Sequence, residues 1–487
     1  MEDTISSSLS KLSFRDPAGA LYALDGRMIR VVKPGSVPQL KATLASTVCQ
    51  DLLSKQSLPA TRLIGVADVE QLFRRLAPQH PIPAAEMGAC VEHERIAFPS
   101  FPHEWCPEML WRAAEITLDI AQALSPEGMG LKDATPYNVL FKGPNAIFVD
   151  ILSIERRTPG DSLWVPFGQF VRTFLTPLLA NRHLGLPLDM VFLAKRDGLE
   201  PESLYPLTHP LQRLRQPFFS LVTMPYWLSR LGGRGKSLPR EVKSGLSSYE
   251  VDRAKYVYES LLTHLRRLLK QVKPLPERKS RWTTYMEETL PYTKDQFAVK
   301  AEYVRRIFQE CKPRKVLDVG CNTGFFSQMA AEAGASVVAI DSDEVAVDRV
   351  WRQARESKQD ILPLVVNLNR PSPALGWENR ETTGFLERSK GQFDLVCMLA
   401  VLHHIVHGDG IALPDVMRLV AGITREYALI EFMEPTDPSV QAIANRRTYM
   451  QAISRGWFEK TASQYFEIVH QQEIPKGTRT LYLMRKR

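Results

Sequence analysis

Two stretches of the chain carry residues whose types and spacing could do chemistry. In KVLDVGCNTGFFSQMAAEAG, residues 315 to 319 have the apolar character of a buried parallel strand and residues 325 to 333 that of a helix, so Gly320, Asn322 and Gly324 fall on a strand-to-helix turn. A tight turn there needs residues tolerant of positive φ, and close approach of a ligand needs missing side chains. Asn322 suits the middle slot, because Asn is the non-glycine residue most tolerant of the left-handed region. About 20 positions further on, SVVAID ends in Asp341, where a carboxylate can accept both hydroxyls of a ribose. His403 and His404 follow the apolar run FDLVCML. Either is suited to act as a general base near neutral pH, and one of the two can equally turn inward as a core or capping histidine. Glu431, at the end of ALIEF, has the same pair of readings, base or ordinary polar strand end. The second stretch is GLKDATPYNVLFKGPNAIFVD, with Asp133 and Asn138 in one loop and Asp150 closing an apolar run. Taken alone, Asp133 and Asn138 are residues that make turn and capping hydrogen bonds beside a hairpin.

The elements that must position these residues follow from periodicity. LYAL and MIRVV flank Asp25-Gly26 as a hairpin. After Pro107, apolar residues from Leu110 to Leu124 recur at helical spacing. VLF and AIFVD, separated by Gly143-Pro144-Asn145, read as a second hairpin. Residues 160 to 240 are Pro- and Leu-rich with mixed helical periodicity. In LGGRGKSLPREVKSGLSS the Gly-Lys-Ser is no phosphate loop, since Arg230 stands where a glycine is required and no strand leads in. A helix from about 249 to 271 and the linker VKPLPERKS come next. AVKAEYVRRIFQEC is helical, and the strands SVVAID, LPLVV, FDLVCML and ALIEF then alternate with helices, which specifies a doubly wound parallel sheet with its ligand beyond the carboxyl ends of the strands.

At 487 residues the chain exceeds one hydrophobic core, so two or three domains are expected. Its 44% hydrophobic and 24% charged content is ordinary for a globular protein. A formal charge of +8 is a mild excess over this length, and no zinc knuckle, RNP-type strand or basic heptad accompanies the basic runs, so a nucleic-acid partner is not expected. The 6 cysteines show no CxxC pair and no histidine at metal spacing, which argues against a disulfide framework and against a metal site. No run of about 18 apolar residues exists and the first residues lack a basic n-region and an apolar h-region. The expectation is a cytoplasmic protein without a membrane span.

Asp318-Val319-Gly320-Cys321-Asn322-Thr323-Gly324 resembles the acidic, glycine-rich first motif of the class I S-adenosylmethionine-dependent methyltransferases, followed by three further motifs in order. The resemblance implies S-adenosylmethionine as cofactor. It places Asp318 and the turn through Gly320, Cys321, Asn322 and Gly324 at the methionyl part and Asp341 at the ribose. Asn367 and Leu368 then fall at the adenine edge, with Ala400 to His404 facing the methyl donor. Of the two histidines, His404 is the expected acceptor-side base, because it lies one residue farther along the segment leaving the fourth strand. Family members more often carry Asp than Asn at the adenine position. Trp282, Tyr285, the PYT of 291 to 293 and IEFMEPTDP are similar to nodulation-type host-specificity methyltransferases, which implies a small-molecule or glycan acceptor. Trp282, Tyr285 and Tyr292 form a lid or simply pack the linker.

The second stretch resembles the catalytic loop and metal-binding strand of protein-kinase-like phosphotransferases, with Asp133 orienting an acceptor hydroxyl, Asn138 and Asp150 holding magnesium, and Lys33 meeting phosphates. It departs from that family at Leu131-Lys132, at Ile151-Leu152, in lacking a GxGxxG over 16 to 26, and in placing Pro34 after Lys33. A degenerate kinase-like domain fits these departures. The expected organisation is an α+β kinase-like domain over 1–270, linker and lid helices over 271–311, and an α/β, Rossmann-like methyltransferase domain over 312–487. A non-catalytic S-adenosylmethionine sensor and a bifunctional kinase-methyltransferase are the alternative functions.

Overall fold

The computed structural model describes residues 10–76, 82, 86–231, 247–276, 278, 280, 292–444 and 453–487. Trp282, Tyr285, Pro291 and most of the Gly-Lys-Ser loop lie outside the described residues.

The N-terminal part holds a five-stranded sheet of order β1-β2-β3-β5-β4, from Ser10–Lys11, Gly19–Leu24, Arg27–Val32, Thr61–Ile64 and Ala89–His93. Its β2–β3 hairpin turns on Asp25 (φ +50°) and Gly26 (φ +75°), and two successive positive φ values match the right-handed twist of the strands they join. Helix α1, Pro107–Leu124, is buried along most of its length and leads to β6, Met129–Leu131. The expected second hairpin forms as β7, Val139–Lys142, and β8, Asn145–Phe148, with Gly143 at φ +52° ahead of Pro144. β9, Ile154–Arg156, pairs with β6. Short helices fill residues 167 to 231, ending in α2, Met224–Leu231, and α3, Ser248–Gln271, packs against α1.

The C-terminal part begins with α4, Lys294–Cys311, capped by Thr293 and Gln296, each bonding to the other's backbone. A seven-stranded sheet follows in the order β12-β11-β10-β13-β14-β16-β15. Its strands are β10 (Lys315–Val319), β11 (Ser336–Asp341), β12 (Ile361–Val365), β13 (Phe393–Met398), β14 (Thr424–Met433), β15 (Phe466–Glu473) and β16 (Arg479–Lys486). The first five are parallel, as their alternation with helices requires. The last two depart from the all-parallel expectation. β16 follows β15 after a short turn, too short for a crossover, so it pairs antiparallel with both β15 and β14.

One sheet face, with Val316, Val337 and Leu429, packs on α4 and on α5, Phe325–Glu332. The opposite face, with Leu317, Ile340 and Met398, shares one continuous core with α1 and the N-terminal strands. Helix α6, Glu344–Ser357, packs against α1, where Asp348 Oδ1 accepts from the Glu108 backbone N–H at 3.1 Å. No helix among the described residues is long and apolar enough to cross a membrane.

Candidate active site

The turn after β10 brings backbone to the open end of the sheet. Gly320 (φ +69°) has no room for a side chain, because a Cβ there would lie 2.4 Å from Val401 Cγ2. Asn322 takes the left-handed conformation expected of it (φ +50°), and its buried Oδ1 has no hydrogen-bond partner. Asp341, at the end of β11, is held by backbone donors, with Oδ2 accepting from Asn322 N at 2.9 Å and Oδ1 from Asp343 N at 3.0 Å. Burial raises its pKa. These groups line a cavity of about 290 Å³ together with Cys321, Asn367, Leu368, Ala400 and His404.

Asp318 and Gly324 stand behind that wall. Asp318 is 4% exposed, accepts from Ser327 Oγ on α5 at 2.6 Å, and burial pushes its pKa up to about 6. It ties the strand to the helix that follows. Gly324 (φ +82°) abuts Val350, so its role is helix packing. On the far wall the Asn367 Oδ1 accepts from Asn369 N at 2.9 Å, and Asn369 bonds in turn to Asp409, which also lines the cavity. One lone pair of the Asn367 oxygen is thus engaged by its own turn, and Asn369 and Asp409 add further polar groups to that wall.

Ala400 has φ +58°, a strained conformation for a residue with a Cβ, at the point where β13 gives way to the short helical segment bearing His404. His404 faces the cavity. His403 is buried away from it, with Nδ1 unbonded and its pKa held well below the usual value by desolvation and by the neighbouring His404. The rings lie 4.1 Å apart.

Sequence reasoning missed Lys300. It lines the cavity from α4 yet is only 3% exposed, with Nζ donating to Glu431 Oε2 at 2.7 Å and to the Tyr292 hydroxyl at 3.0 Å. Tyr292 also donates to Glu431 Oε1, and the Arg479 guanidinium lies 4.5 Å from the Tyr292 ring. Desolvation lowers the Lys300 pKa against the pull of Glu431. Glu431 is therefore a fully buried ion-pair partner rather than a solvated strand end. The signal was available: Lys300 falls on the buried stripe of α4 with Val304, Ile307 and Phe308, where an unpaired lysine would be costly.

In the N-terminal part, Asp150 is partly buried, its side chain 18% exposed, and close enough to Asp133 to feel its charge. Burial raises the Asp150 pKa, opposed by Arg30, whose Nη1 is 3.2 Å from Asp150 Oδ1 and 3.4 Å from Asp16 Oδ2. Lys132 lies 3.5 Å from Asp16. The cation paired with Asp150 is Arg30, in mid-strand, while Lys33 is exposed and lies just past the end of β3. Alternation along β3 turns Arg30 inward, whereas Pro34 draws the chain away directly after Lys33. Asn138 Nδ2 is buried without a partner.

A family model described as a methyltransferase domain matches residues 292–471. The chain is 28% identical over 473 residues to nodulation protein NoeA of Rhizobium meliloti (strain 1021), covering 96% of this chain and 94% of that one. It is also 34% identical over 110 residues to the O-antigen chain terminator bifunctional methyltransferase/kinase WbdD of Escherichia coli, covering 23% of this chain and 14% of that protein. A solved WbdD structure aligns with a TM-score of 0.30 at 21% identity, over 44% of this chain and 46% of that chain. The N-methyltransferase NodS from Bradyrhizobium japonicum WM9 aligns with a TM-score of 0.29 at 12% identity, over 39% of this chain and 98% of that one. With the glycine turn, Asp341 and the sheet order in place, the C-terminal part of this chain is a class I S-adenosylmethionine-dependent methyltransferase domain.

Proposed function

We propose that the enzyme methylates an oxygen of a small molecule or glycan, and that the N-terminal part is a kinase-like unit that binds the acceptor or a partner. The observation that carries the reading is the placement of Asp341 and His404 on one cavity, which brings a carboxylate suited to a ribose and an imidazole suited to proton transfer to the same space. S-adenosylmethionine supplies an activated methyl group on a good leaving centre, so the protein's task is in-line positioning in a water-poor pocket. The residues present fit that cofactor. Asp341 suits the ribose diol, the orphaned Asn322 Oδ1 can accept from an ammonium or hydroxyl, and Lys300 offers a cation to a carboxylate. His404 would take the proton of an acceptor hydroxyl, a step that an amine acceptor needs less, and this favours oxygen as the methylated atom.

For the N-terminal unit, Arg30 and Lys132 already offset the charge of Asp16 and Asp150. This supports capture of a ligand without phosphotransfer. Phosphate transfer from ATP to a component of a cell extract would replace it with the bifunctional reading, which the similarity to WbdD favours.

Calorimetry with S-adenosylmethionine should show binding by the wild type and a loss of about tenfold or more in Asp341→Ala, equivalent to about 1.4 kcal/mol. Equal binding by both proteins would remove Asp341 from the ribose. Mass spectrometry of extracts from cells with and without the protein should reveal a component heavier by one methyl group. Cofactor binding with no methylated product among metabolites, glycans and lipids would replace transfer with S-adenosylmethionine sensing.

A further inference from the structure

The apolar residues of α2, Met224, Trp227, Leu228 and Leu231, recur at the i, i+3, i+4, i+7 spacing of a helix face meant for burial. That face is open to solvent, from 43% at Trp227 to 83% at Leu231. Upstream, Leu207, Leu211 and Leu214 repeat the pattern at 63 to 67% exposure. The two stretches form one body: Tyr226 stacks on Tyr205 at 3.8 Å, the Trp227 indole donates to the Tyr205 hydroxyl at 3.3 Å, and Thr223 Oγ1 donates to the Arg213 carbonyl at 2.7 Å. Single exposed leucines need no explanation, but this many large apolar side chains on one short segment mark a docking surface.

Charge identifies the occupant. From Tyr205 to Leu231 the chain contains Arg213, Arg215 and Arg230 and no Asp or Glu. A second copy of the same face, paired about a two-fold axis, would bring these arginines toward their equivalents with no carboxylate from this segment between them. A layer of anionic headgroups has the opposite sign and the right texture. Leucine tips enter the acyl boundary, Tyr and Trp sit at headgroup level, and arginines meet lipid phosphates.

We propose that the face built from residues 205 to 231 docks the protein on the surface of an anionic lipid bilayer. The inference is independent of the methyl-transfer reading, since none of these residues lines the cofactor cavity. Flotation of the full chain with phosphatidylcholine vesicles, with and without phosphatidylglycerol, tests it. The protein should float with the anionic vesicles and partition at least about tenfold less onto phosphatidylcholine alone. Leu228→Glu combined with Leu231→Glu should cut partition onto anionic vesicles by at least about tenfold, and Leu211→Glu should act in the same direction. Unchanged S-adenosylmethionine affinity in these variants would show that they are folded. Absence of flotation with either composition, equal partition onto both, or flotation indifferent to the glutamates would overturn the proposal. A concentration-dependent dimer abolished by Leu228→Glu, without flotation, would assign the face to a second copy.

Discussion

His403 and His404 are chemically identical neighbours with rings 4.1 Å apart, yet only His404 reaches the cavity. His403 faces away from the cavity and burial lowers its pKa well below the usual value, so His404 is the proposed base. His404→Ala should lower turnover by about a hundredfold to ten-thousandfold while sparing cofactor affinity. Turnover per folded molecule and melting temperature, measured on the same sample, separate this from a packing role. Normal turnover with a lowered melting point would make His404 a structural residue. Lys300 shows the reverse case. Its burial is readable from the α4 stripe, but its partner is not: Glu431 closes the ion pair from β14, 131 residues further along the chain.

Helices α1 and α6 meet through buried acids. Asp348 on α6 accepts from the start of α1, and Arg352 bridges toward Asp348 and Glu108, each at 3.3 Å. Arg352 is about one quarter exposed whereas Asp348 is nearly sealed, so desolvation outweighs the ion pair and the Asp348 pKa rises from 3.8 to about 7. The unfolded carboxylate loses its proton near the lower value and the folded one near the higher. Between them the folded state holds a proton that the unfolded state has released, so this contribution to stability falls as pH rises. The melting temperature should therefore carry a downward component from about pH 4 to 7. Asp348→Asn, which keeps shape and neutrality, should flatten it in part, with Asp318 contributing a like component up to about 6. Thermal melts at stepped pH check this, and an unchanged slope in the variant would acquit Asp348.

The five-stranded N-terminal sheet and the methyltransferase sheet are joined through buried contacts. A single apolar core runs from the N-terminal strands through α1 to the far face of the methyltransferase sheet. Phe98 packs on Phe385 and Phe393 with ring centroids 5.9 and 5.8 Å away. Arg388 closes the same seam by donating to Glu104 and to the Pro99 carbonyl, with both charged side chains almost completely buried. Calorimetric unfolding should accordingly give one transition. Arg388→Met would strand a buried carboxylate at a cost of about 3–5 kcal/mol and lower that transition without splitting it. Two separated peaks in the wild type would show that the seam does not couple the parts.

Much of this architecture was legible in the sequence, because its signals are local. Asp25-Gly26 and Gly143-Pro144 announce hairpins through the φ values they permit, and Gly320, Asn322 and Gly324 announce a ligand-approaching turn for the same steric reason. Asp341 was readable because a strand of fixed length carries it to the rim of that turn. Other features arise between residues far apart in the chain. Arg30 meets Asp150 because the strand's alternation, seen only against its neighbours, decides which side chain points toward it. β16 lies between β14 and β15, antiparallel to both, and Ala400 takes its positive φ next to Val401, whose side chain fills the space a Cβ at Gly320 would need. Local sterics and periodicity chose the elements; long-range burial and charge pairing, which exist only once the chain has closed on itself, chose Lys300, Tyr292 and Glu431 as a single group beside the cavity.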